Sequence, residues 1–359
     1  MKLIPRYLVT AALTGGFIAA AAQVTLAENF TVRIGAGHPL GPTVYVDVVH
    51  DYFVPEVTRR VAAETAHTVN FVEAYGGTIA GVSETLEAVQ TGLLDFGAYC
   101  FCFEPAKLFV HNFPYFAPFG PQDSLQQAQI TRRVYEQVPQ LEQIFIDDYG
   151  QRLLGLSGWD NYHLGTKKPW TSVADLQGVK IGGAGPNLPW LQYVGAVPVQ
   201  STLPDGYMSL TTGVYDGWLM FPSAYYGYKF YEPAPVYTLI GFGPTAVIGL
   251  TVNSATFARL PADVQEIVLE VGLEYETQSG IANNERQKIG LAKLAEAGAT
   301  IQTISEETRS DWAKSLANFP TEQAAEAEKR GLPGRLVVQT YLDEVAKAGV
   351  NFSYPYVLN

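Results

Sequence analysis

The residues able to do chemistry in this chain are few and scattered. Its five histidines are His38, His50, His67, His111 and His163. No two share the spacing that would put them on one helix face as metal ligands. The two cysteines, Cys100 and Cys102, fall on one face if the segment is an extended strand. A disulfide between residues two apart is geometrically poor, and two thiols without further Cys or clustered His make a weak metal site. They read as two small buried apolar residues, with Cys100 lining a pocket as the other reading. There is no G-x-S-x-G, no G-x-x-x-x-G-K-[ST] and no H-E-x-x-H. The run Gly182-Gly183-Ala184-Gly185-Pro186 lacks both the G-x-G-x-x-G spacing and the acidic residue of a dinucleotide site. No carboxylate pair stands out as an acid–base couple. The chain is therefore expected to bind rather than to turn over, with no catalytic residue, no metal and no cofactor.

The elements that must position a binding site follow from hydrophobic periodicity. Thr31–Ala36 reads as a strand, 43–64 as an amphipathic helix, 70–75 as a strand, Ser83–Val89 as a helix capped by Ser83, and Leu93–Phe103 as an apolar strand. This β-α-β-α-β order is the signature of a sheet with helices on its faces. A second α/β run begins near Arg152 and reaches the strand Trp218–Phe221, after which the chain crosses to Val247–Val252. From Pro261 to about Ala297 the pattern is one long helix, about 50 Å at 1.5 Å per residue, long enough to serve two domains. A short strand at Thr300–Gln302 and helices near Glu306–Phe319 and Thr321–Ala348 close the chain. The fold class is α/β, with two domains and a cleft between them; ligands of such sheets sit at strand ends in the crevice.

The first 27 residues look like a secretory signal. Lys2 and Arg6 precede an apolar stretch from Tyr7 to Ala22, and Ala20-Ala21-Ala22 or Thr25-Leu26-Ala27 offers a cleavage site. A periplasmic location is expected. Without Lys2 and Arg6 the chain has 21 basic against 35 acidic residues, a net charge of −14, which excludes nucleic-acid binding through the general field.

Several segments resemble the solute-binding subunits of TRAP transporters, the DctP-like family. They are Glu84-Thr85-Leu86-Glu87-Ala88-Val89-Gln90-Thr91-Gly92-Leu93-Leu94-Asp95-Phe96, Ala174-Asp175-Leu176-Gln177-Gly178-Val179-Lys180-Ile181, Gly195-Ala196-Val197-Pro198-Val199, Leu210-Thr211-Thr212-Gly213-Val214-Tyr215-Asp216-Gly217 and Lys229-Phe230-Tyr231-Glu232. Their order and spacing are more specific than any one of them. The resemblance implies a two-domain periplasmic-binding-protein fold, type II-like, with a long helix behind both domains. It implies a signal peptide over 1–27, one domain over 28–156 plus about 245–287, and another over 157–244 plus about 288–359. It also implies hinged closure on a small organic solute and delivery to the membrane subunits of the transporter.

This chain departs from the family at the strand holding Val179-Lys180-Ile181. There the family usually carries an arginine that grips a ligand carboxylate; here Gly182 stands, and no arginine lies between Arg152 and Arg259. The residues after Asp216-Gly217 are Trp218, Leu219 and Met220. By motif position the cleft candidates are His38, Tyr99, Cys100, Phe101, Trp159, Asp160, Tyr162, Gly182, Trp190, Trp218, Met220 and Phe221. Rings beside a carboxylate such as Asp160 fit an amine or ammonium compound, or a neutral polar solute. An aromatic or bulky organic acid is the other reading, held by backbone N–H groups of Gly182, Gly183 and Gly185 or by Lys180 or Lys168. An exported hydrolase or lyase, or a periplasmic ligand sensor, are the alternatives of another class.

Overall fold

A computed structural model of the chain describes residues 27–358. The expected signal segment lies outside these residues except for Ala27. The strands are β1 (Asn29–Gly35), β2 (Thr68–Ala74), β3 (Phe96–Cys100), β4 (Gln151–Ser157), β5 (His163–Thr166), β6 (Lys180–Gly183), β7 (Val197–Gln200), β8 (Gly217–Met220), β9 (Val236–Leu239), β10 (Ile248–Asn253) and β11 (Thr300–Thr303). They form two sheets, ordered β2-β1-β3-β10-β4 and β11-β9-β5-β8-β6-β7. In the first, β1 is parallel to β2 and β3, while β10 is antiparallel to β3 and β4. In the second, β6 is parallel to β7 and β8, β11 is parallel to β9, and β5 is antiparallel to β8 and β9. The chain leaves the first sheet after β4, builds β5 to β9, returns for β10 and leaves again for β11. These crossings hold the two sheets beside each other.

The helices are α1 (Val44–Val48) and α2 (Val54–Glu64), joined through a π-helical turn at Val49–Phe53, then α3 (Thr85–Gln90), α4 (Ser124–Gln137), α5 (Gln140–Tyr149), α6 (Leu188–Gln192), α7 (Leu203–Thr212), α8 (Pro222–Gly227), α9 (Ser254–Arg259), α10 (Ala262–Glu296), α11 (Glu306–Ser315), α12 (Phe319–Lys329) and α13 (Gly334–Lys347). Strands β3 and β10 are buried along their whole length. Covered on both faces, they read as continuous apolar runs rather than alternations.

The long helix α10 packs on β4 and α4 beside the first sheet and on α8 beside the second. A glycine inside a helix costs about 1 kcal/mol relative to alanine, yet α10 carries Gly272 and Gly290. A methyl on Gly272 would stand 2.6 Å from the Leu154 carbonyl oxygen, and one on Gly290 would stand 2.7 Å from the Ser223 amide nitrogen. The glycines let one helix press against the backbone of both halves. Between them, buried Glu276 accepts from Arg132 Nε of α4 at 3.0 Å and from the Leu156 amide of β4 at 2.7 Å.

Four local expectations change. Ser83 is not the cap of α3: the N-cap is Glu84 without a side-chain cap bond, and its carboxylate instead accepts from the Gly81 amide at 2.9 Å. The strand expected over Leu93–Phe103 is only Phe96–Cys100, because the chain then turns through a 3-10 helix at Phe101–Phe103. That turn also overturns the reading of the cysteines. Extended residues two apart have Cα atoms about 6.6 Å apart; here the Cα separation is 5.2 Å, and Cys100 and Cys102 are joined as a disulfide. Finally, the helix expected over Thr321–Ala348 breaks between α12 and α13, where Gly331 takes a left-handed φ of 77° and Pro333 follows. The C-terminal residues divide between the halves: Trp312 of α11 packs against Trp170, whereas Tyr341 of α13 packs on Phe113 and α13 lies on α4.

Candidate ligand site

A small cavity lies where the two sheets face each other. It is lined by Cys102 and Phe103 after β3, Trp159 and Tyr162 between β4 and β5, Ala184 and Asn187 after β6, Leu203 of α7, and Trp218, Leu219, Met220 and Phe221 in and after β8. Its volume is about 30 Å³, room for one or two waters. The lining comes from strand ends of both sheets, the place where open α/β sheets hold ligands.

The walls are aromatic and set by ring contacts. Trp159 stacks on Phe221 with centroids 5.0 Å apart and planes at 16°. Tyr162 meets Phe221 edge-on at 5.5 Å, and its hydroxyl shares a 2.9 Å hydrogen bond with the Tyr115 hydroxyl. Trp218 is fully buried against Tyr215 and Phe230. Its neighbour in the ladder is Gly182, where a Cβ would stand 2.7 Å from Trp218 Cε3 and 3.0 Å from Cζ3. The indole therefore fills the volume that any side chain at 182 would need.

No charged side chain lines the cavity. Asp160 is buried, and its Oδ1 accepts from the Ser223 hydroxyl at 2.8 Å while Oδ2 accepts from the Ser223 amide at 3.1 Å. Burial pushes its carboxyl up to about 7, opposed by the bonds from Ser223. Its oxygens face the start of α8 and not the cavity, so it does not supply the carboxylate of a cation box. Lys180 and Lys168 are exposed, and Lys168 lines a separate groove with Trp170 and Asp175. The Gly185 amide donates to Gln200 Oε1 at 3.2 Å. The lysine route to a ligand carboxylate therefore does not reach this cavity.

Trp159, Tyr162, Trp218, Met220 and Phe221 are thus brought together as expected by position, with Gly182 directly behind Trp218. The other candidates lie elsewhere. Tyr99 is in the first sheet's core and donates to Gln151 Oε1 at 2.8 Å. Phe101 packs on His111 and Phe145. Cys100 is buried at the end of β3, and its disulfide partner Cys102 takes the lining position. Trp190 stacks on Phe242 at 5.0 Å and donates to the Tyr115 carbonyl at 3.0 Å. His38 packs on the edge of Trp159 and bonds Tyr45 through Nδ1 at 3.0 Å; burial draws its imidazole down to about 4. Sequence reasoning missed Cys102, Phe103, Ala184, Asn187, Leu203 and Leu219. The first two were hidden by carrying β3 too far. Asn187 had a signal, since it follows the glycine run after β6.

The family model for bacterial extracellular solute-binding protein, family 7, matches residues 50–326. A solute-binding protein of Sulfitobacter sp. (strain NAS-14.1) is 29% identical over 168 residues, 46% of this chain and 50% of the relative. The chain thus spans about half the length of the curated relative it matches. Among solved structures, a marine metagenome TRAP solute-binding protein specific for aromatic acid ligands, in complex with 3-hydroxybenzoate, has a TM-score of 0.79 at 18% identity, covering 89% of this chain and 99% of that one. A TRAP solute-binding protein from Rhodoferax ferrireducens T118, in complex with copurified benzoate, has a TM-score of 0.78 at 18% identity, covering 89% and 98%. At these identities the likeness shows the fold, the two-domain α/β fold of TRAP periplasmic solute-binding proteins.

Proposed function

The chain belongs to bacterial extracellular solute-binding protein family 7, and from that premise we propose that it is the periplasmic receptor of a TRAP transporter for a small, uncharged, ring-bearing organic solute. The solute enters the cleft between the two sheets and is delivered to the membrane subunits. We take one lobe to be residues 28–156 with about 245–287, and the other to be 157–244 with β11 and α11; this division is supported by the membership of the two sheets. An N-terminal signal over 1–27 directs export.

The observation that carries the choice of solute is the lining. It offers stacked and edge-on rings, Trp218 in place of a side chain at 182, and no charge of either sign. A desolvated carboxylate or ammonium without a partner is costly, whereas a planar apolar ring gains from contact with Trp159, Phe221 and Trp218. A ring-bearing acid is the second reading, favoured by the aromatic acids held by the two structural neighbours. An ammonium compound would find ring faces but no carboxylate.

A thermal-shift screen tests the reading, since a ligand of the folded state raises the melting temperature by mass action. The screen spans amines, betaines, amino acids, dicarboxylates, aromatic acids and neutral aromatics. Neutral ring compounds are expected to give the largest shifts and simple dicarboxylates none. A dicarboxylate as the strongest hit would sink the proposal.

A further inference from the structure

Within the cavity proposed above for a neutral ring compound, we infer that the solute carries an amide-like group, a carbonyl beside an N–H, recognised by Trp218, Tyr162 and Asn187. The inference rests on that reading of the site and adds the polar end of the ligand.

Two polar groups on lining residues have no partner, and Tyr162 has a proton to give when Tyr115 is the donor of their shared bond. The indole Nε1 of Trp218 is buried without a hydrogen-bond partner. Gly182 abuts the Cε3–Cζ3 edge of that ring, so the N–H sits on the edge away from β6. The side-chain amide oxygen of Asn187 is also buried without a partner. Tyr162 and Tyr115 share one hydrogen bond between two hydroxyls, so one of the two protons is unused by that bond. Burial pushes both phenols well above their usual range, so both stay protonated. A buried polar group without a partner costs about 1–3 kcal/mol, and natural interiors leave few of them.

The inventory selects a ligand. Trp218 can only donate, and Asn187 presents an acceptor. A carbonyl takes donors on its two lone pairs, and an adjacent N–H gives to the Asn187 oxygen. A carboxylate could accept but not donate, and it would bring an unpaired charge. An ammonium could donate but could not accept from the indole. A bare hydrocarbon ring would leave the Trp218 N–H and the Asn187 oxygen without partners. A neutral carboxamide or lactam on a planar ring satisfies them.

The test uses the purified full chain and four probes of similar size: benzamide, benzoate, phenyltrimethylammonium and toluene. Affinity is measured by calorimetry and by thermal shift. Benzamide is expected to bind at least tenfold tighter than each of the others. Trp218→Phe keeps a ring and removes the N–H; Asn187→Ala removes the acceptor. Each is expected to weaken benzamide by about three- to tenfold and to lower the ratio of benzamide to toluene affinity. If Trp218→Phe does not fold, Asn187→Ala and the four-probe ranking on the unaltered chain still decide. Toluene matching benzamide, or both variants binding benzamide normally, overturns the amide inference while the neutral ring site stands. Benzoate or phenyltrimethylammonium binding best overturns both, as does failure of all four probes to bind.

Discussion

Gly182 and Trp218 are one decision written at two positions. Gly182 projects no side chain, and the indole occupies the space, with Cε3 2.7 Å from where a Cβ would be. Changing either residue alone conflicts with the other. Gly182→Ala is expected to cost about 1–3 kcal/mol by overpacking. The cost should fall in a Trp218→Phe background, where the edge near 182 is shortened; denaturant unfolding of the four proteins measures the coupling. Equal costs in both backgrounds would separate the two residues. Asp160 makes a second test. Its carboxyl is held up at about 7 from an ordinary 3.8, so between these values the folded chain keeps a proton that the unfolded chain has released. Stability from this group falls as pH rises through that window. Buried His38, held down at about 4 from 6.5, acts in the opposite sense, losing stability as pH drops below 6.5. Asp160→Asn removes only the first effect. The stability of the unaltered chain relative to the variant should therefore decline from pH 4 to pH 7 and level off above it, read from urea midpoints. A flat difference across that range would contradict the burial of this carboxyl. Trp159, Tyr162, Trp218, Met220 and Phe221 were grouped by their position in segments that line the cleft in the family, and they line one cavity. Tyr99, Phe101 and Asp160 were grouped with them but lie elsewhere, because the chain turns at Phe101 and Asp160 is held by Ser223.

At the scale of elements, sustained periodicity was the clearest signal. The 35-residue α10 was legible from its sustained apolar recurrence, and its boundaries fall within a residue of the expectation. Strands β5 and β9, four residues each, were not recognised, although β8 and β11, equally short, were. Helices α4 and α5 also went unread. What no periodicity could reveal is why α10 tolerates its glycines. Helix propensity alone says Gly290→Ala should stabilise by about 1 kcal/mol. The structure says the reverse, because the added methyl meets backbone at Ser223, which cannot rotate away. Gly290→Ala is expected to lower stability by about 1–3 kcal/mol and to loosen α8 from α10. Hydrogen exchange of the α8 amides would report the second effect, and a rise in melting temperature would refute the packing argument.

For the molecule as a whole, the question is how a solute reaches a cavity of about 30 Å³ when small-molecule sites commonly measure about 300–1,000 Å³. The walls come from different sheets, so the proposed function requires the lobes to part and close again around the solute. One close approach between the lobes is readable. Gly185, beyond β6, lies under Cys102, beyond β3, and a Cβ on Gly185 would stand 2.6 Å from the Cys102 carbonyl oxygen. Its φ of 72° also favours glycine. Gly185→Ala therefore adds backbone strain and a steric block at the same place. Gly92 separates the two effects, for its φ is 74° and nothing lies within 4 Å of an added Cβ. Gly92→Ala should cost stability alone. Gly185→Ala should also hold the lobes apart, giving a larger radius of gyration in solution scattering and at least tenfold weaker binding of whichever probe the unaltered chain prefers. Should the two variants scatter and bind alike, the contact between Gly185 and Cys102 does not limit closure, and the cleft must close about some other point.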